Sequence, residues 1–92
     1  MDALTGPLWS QEQAIAYEVA LEAINDVIAG YSEQIALEQT HPAPNTARIT
    51  WLEMRTDQAV SVRHSLNVCD DGNVQQVISE FCAIVRARDE GR

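Results

Sequence analysis

The chain contains no lysine. Its six cations are all arginine and stand against 14 acids, giving a formal net charge of −8 over 92 residues. That balance repels a phosphate backbone and argues against direct nucleic-acid binding. Long apolar runs are missing too: none approaches the roughly 20 residues of a membrane span. Met1-Asp2-Ala3-Leu4-Thr5-Gly6 has neither the positive charge nor the apolar stretch of a signal peptide, so no membrane association is expected. Cysteine is scarce. Cys69 and Cys82 form no CxxC, and His41 and His64 lie far apart in sequence, so neither a disulfide framework nor a zinc site is indicated. The expected reading is two small hydrophobes in a reducing cytoplasm, with a single disulfide as the alternative. The lack of lysine fits a GC-rich genome and carries no functional weight.

Catalytic signatures are absent as well. There is no GxGxxG, P-loop, HExxH, GxSxG or EF-hand loop. Asp70-Asp71-Gly72-Asn73 resembles the start of a calcium loop, but Val74 and Val77 occupy later ligand positions. Glu18 and Glu22 are spaced i,i+4 but fall on an outer face, and no Glu-x-x-His accompanies them. Cys69 and His64 have no spacing that would make them a nucleophile pair. No enzyme activity, cofactor or metal is expected.

The hydrophobic share, 46%, is that of a folded chain, and the length allows one domain, residues 1–92. Gly6-Pro7 breaks an N-terminal arm, residues 1–9. Ser10 and Gln13 fit a capping box, with Trp9 and Ala14 as a weak staple around it, so a helix is predicted over 10–39. Its large apolar residues Tyr17, Leu21, Ile24, Ile28, Tyr31 and Ile35 follow the 4-3-4-3-4 spacing of a heptad seam. Pro42 and Pro44 enforce a loop. A second helix is predicted over 46–68, capped by Asn45 or Thr46. Residues 47–68 also admit two strands, which would make the fold α+β, but no hairpin turn separates them. Asp70-Asp71-Gly72 reads as a turn, and Asn73 as the cap of a third helix over 74–88. The expected fold is therefore all-α: a long antiparallel hairpin plus a shorter third helix, a three-helix bundle completed by oligomerisation.

The first helix carries a second stripe beside its heptad seam, made of Ala16, Ala20, Ala23, Val27 and Gly30. Two apolar stripes exceed what one neighbour needs. A third helix of about 15 residues would cover only half of a first helix about 45 Å long. The small stripe is thus expected to be a contact between copies of the chain, a dimer being favoured. The remaining face carries Glu12, Glu18, Glu22, Asp26 and Glu33. Residues 1–47 hold seven acids and no Lys or Arg, net −7, whereas residues 48–92 hold seven acids and six arginines, net −1. Arg48, Arg55 and Arg63 project beside the apolar face of the second helix, where their heads would reach acids of the first helix or of a partner chain. Two functions follow as expectations: a non-enzymatic protein–protein interaction module self-associating through the first helix, or an acidic, antitoxin-like inhibitor covering a basic, nucleic-acid-binding surface of a partner protein.

Overall fold

A computed structural model describes residues 8–91; residues 1–7 of the expected arm lie outside them. The chain forms three helices, α1 (Gln11–Gln39), α2 (Thr46–Ser65) and α3 (Asp71–Glu90). The fold is all-α, and among the described residues there is no strand. The strand alternative for residues 47–68 is corrected: Thr46–Ser65 is one helix.

The ends of the helices are set by side-chain caps. The Gln13 backbone N–H donates to Ser10 Oγ at 3.1 Å and the Ser10 N–H donates to Gln13 Oε1 at 2.8 Å, completing the capping box. Asn45 caps α2, its Oδ1 accepting from the Arg48 N–H at 3.1 Å, while Glu38 Oε2 accepts from the Asn45 N–H at 3.0 Å and ties the loop back to α1. Two predicted boundaries move. α2 stops at Ser65 rather than at residue 68, because Leu66 turns extended and buries its side chain. α3 starts at Asp71, since Asp70 rather than Asn73 is the cap, its Oδ1 accepting from the Asn73 N–H at 3.0 Å. Asp70-Asp71-Gly72 is therefore a helix start and not a turn, with Asp71 in the first turn where a negative charge suits the helix dipole. The third helix thus has 20 residues, about 30 Å, against about 43 Å for the 29 residues of α1.

α2 runs antiparallel to α1. α3 runs parallel to it: Gln13 Nε2 donates to Asp71 Oδ1 at the start of both helices, and Arg88 reaches Asp26 further along. Both α2 and α3 pack on α1, but no Cα of α2 comes within 8 Å of one of α3. The core collects Ala20, Ala23, Ile24, Val27 and Tyr31 of α1, Leu52 and Ala59 of α2, Leu66, and Val74, Val77 and Phe81 of α3. Ile24, Leu52 and Val74 are its largest fully buried side chains. Each comes from a different helix, so each anchors one element to the shared centre. Leu52→Ala should cost about 2–5 kcal/mol, because a buried leucine loses its contacts and leaves a cavity. Urea unfolding followed by far-UV circular dichroism reads that loss, and Leu37→Ala, at an exposed position, should change little.

Candidate functional site

The small-residue stripe is spent inside the chain. Ala20 is 0% exposed and Ala23 and Val27 are also buried, while Ala16 and Gly30 are half-buried. Within one chain this stripe, expected to form a contact between copies, seats α3. Small side chains allow a neighbouring backbone to approach closely, and a 20-residue α3 covers more of α1 than a 15-residue one would.

At Gly30 the neighbour is a side chain of α3 rather than its backbone. A Cβ built on it would lie 2.8 Å from Arg88 Nη1. Arg88 lies across the glycine and pairs with Asp26 at 3.3 Å and with Asp89 at 3.3 Å. The hydrogen bond to Asp26 raises the pKa of Arg88 above its ordinary value, burial opposes the rise, and Asp89 adds to it. With a raised pKa in the folded state, this contribution is complete below arginine's ordinary value and is lost only above it. It therefore stays constant from about pH 5 to 9.

Of the arginines expected to reach acids of α1, Arg48 does so and Arg55 and Arg63 do not. Arg48 meets an acid of α1, with Nε 3.8 Å from Glu38, and also donates from Nη2 to Gln34 at 3.0 Å. Arg63 instead donates to the neutral Asn25 at 2.6 Å. Arg55 donates to the Tyr31 hydroxyl at 3.4 Å and lies 5.9 Å from the centre of the Trp51 ring, which packs edge-on against Tyr31.

Glu12, Glu18, Glu22, Asp26 and Glu33 are all exposed. Glu18 borders a hollow near the end of α2 with Tyr17, His64 and Leu66. Glu12 borders another beside Asp71. Glu22 and Asp26 edge a shallow groove of about 570 Å³ between α1 and α3, on the side away from α2. Val19, Ala23, Cys82 and Val85 form its apolar floor. Val19 is 40% exposed, and one turn earlier Ile15 is 57% exposed. The seam analysis missed this feature because Ile15 and Val19 belong to neither stripe, although their i,i+4 spacing among acids was visible. A narrower cleft of about 200 Å³ opens between α2 and α3, floored by Val27 and Tyr31, with Arg55 and Glu80 among its lining residues.

Cys69 and Cys82 are free thiols, the first exposed and the second half-buried. Among the described residues no three His, Cys, Asp or Glu side chains converge to hold a metal ion, and no helix is long and apolar enough to cross a membrane. No family model matches the chain, and neither a curated protein nor a solved structure matches it.

Two substitutions test this packing. Ala20→Asp should unfold the chain or strip α3 from it, costing about 3 kcal/mol or more, because an uncompensated carboxylate would enter a closed seam. Gly30→Ala should stabilise it by up to about 1 kcal/mol through helix propensity, since the displaced atoms are the far end of a flexible side chain. A denaturation midpoint that falls in Gly30→Ala would show that Arg88 is held rigidly instead.

Proposed function

We propose that this chain is a non-enzymatic helical interaction module that covers a basic surface on a partner protein. The observation that carries the reading is the exposure of Ile15 and Val19 among Glu12, Glu22 and Asp26, on a helix whose other two stripes are already occupied. Apolar side chains in solvent, bordered by carboxylates, suit a partner that offers apolar anchors and cations together. Two copies of this face would set like charges against each other, which disfavours self-association there.

A second reading, a homodimer, is favoured by a different observation. Leu37 and Trp51 stay exposed at the end of the α1–α2 hairpin where α3 stops, and Met54 is exposed on the outer side of α2. Trp51 beside Tyr31 and Arg55 has the composition of an interface anchor.

Light scattering across a size-exclusion peak, at low and high salt and at two protein concentrations, separates the two. The basic-partner reading expects a monomer throughout, and affinity for a basic protein that declines as salt rises past roughly 0.2 M. A dimer that persists in both salts would overturn it in favour of self-association.

A further inference from the structure

We propose that the groove between α1 and α3 seats a basic amphipathic helix of the partner protein; this rests on the basic-partner reading and assigns it a site. The shape argument comes first. Two parallel helices leave a furrow that takes a third helix ridge into groove. On α3, Ile78, Cys82, Val85 and Asp89 follow at spacings of 4, 3 and 4, and on α1, Ile15, Val19, Glu22 and Asp26 follow at 4, 3 and 4. Each row thus begins apolar and ends acidic, and the rows lie side by side because the helices run in the same direction. All three apolar residues of the α3 row are half-buried against the core, and Ile15 and Val19 are more open still.

The charge argument selects the occupant. Glu22, Asp26, Asp89 and Glu90 line the groove against a single lining cation, Arg86. Arg88 bridges Asp26 and Asp89 from the α3 side. An apolar helix alone would bury Glu22 and Glu90 with no cation brought to them, and an anionic membrane or a second copy of this acidic chain would be repelled. A helix bearing one apolar stripe flanked by Lys or Arg satisfies both the floor and the rim.

The groove carries its own reporter, because Cys82 lies in the floor and Cys69 stands exposed in the α2–α3 connection. The test titrates the full chain at low salt with a set of capped, lysine- and arginine-flanked amphipathic peptides of about 14 residues, four turns of helix. Composition-matched scrambled peptides serve as controls. Fluorescence anisotropy gives affinity, and the rates of iodoacetamide alkylation at the two cysteines give the footprint. Amphipathic peptides should bind more tightly than scrambled ones and slow alkylation of Cys82 while leaving Cys69 unchanged. Val19→Asp should weaken binding about tenfold, because it places a carboxylate against the apolar anchor. The sign decides the mode: the same substitution adds negative charge, so binding by diffuse attraction would tighten. Circular dichroism confirms that this partly exposed position tolerates the change. Binding with Cys82 unprotected, or a Val19→Asp variant that binds as well or better, overturns the groove and leaves the basic-partner reading standing. Failure of every basic peptide to bind at low salt overturns both.

Discussion

The backbone packing of this domain centres on α1. α2 and α3 each pack on it, while no Cα of α2 comes within 8 Å of one of α3, so α1 is the spine and the other two helices are flanks. The arrangement requires two adjoining stripes on one helix, each with its own grain. The bulky stripe of Tyr17, Leu21, Ile24, Ile28, Tyr31 and Ile35 meets α2, and the small stripe centred on Ala20, Ala23 and Val27 lets α3 close in. Ile24 and Val27, at the border of the two, are buried, and Val27 floors the cleft between both flanks. A chain of this size has a thin core, and sharing one spine between two flanks draws the most burial from the fewest residues.

That logic was partly legible in the sequence. The heptad spacing identified the α2 face, the prolines fixed the hairpin, and the small stripe correctly marked a place where another backbone comes close. Whose backbone it was could not be read, because a helical projection shows where an approach is possible and not which chain supplies it. The decision turned on the length of α3, and hence on the choice between Asp70 and Asn73 as its cap. Both are good caps by local chemistry. The tertiary structure favours the earlier start, where Gln13 Nε2 can donate to Asp71 Oδ1 at 3.0 Å and join the beginnings of α1 and α3. The end of α2 was misplaced for a similar reason: Val60, Val62, Leu66 and Val68 sustain an apolar pattern, yet Leu66 reaches the core only by leaving the helix.

The acidic face was legible in the sequence. Plotted on one helix, Glu12, Glu18, Glu22, Asp26 and Glu33 share a side, and all five stay exposed once α2 and α3 are in place. Glu12 and Glu18 border separate hollows, while Glu22 and Asp26 share the groove between α1 and α3. Arginines then divide the surface unevenly. Along the α1–α2 seam Arg48 pairs with Glu38, while Arg55 and Arg63 settle on a tyrosine hydroxyl and an asparagine, so that seam carries cations beyond the acids they meet. Along the outer α1–α3 seam, acids outnumber arginines.

The two sides of the spine consequently differ in what they can recognise, although both leave apolar atoms exposed. On the α2 side the exposed Trp51 stands beside a cation and an aromatic ring, a setting that tolerates a neutral or like partner. On the α3 side the exposed Val19 stands beside carboxylates, whose burial is costly unless cations arrive with the apolar surface that covers it. Burial of Val19 and Val85 supplies the attraction in either case, and it is non-directional. Selectivity therefore has to come from the rim, where an uncharged helix would strand acids that a basic one would pair. The asymmetry between an arginine-free first half and an arginine-bearing second half thus becomes, through the parallel packing of α3 on α1, a local difference in net charge between two grooves on one spine.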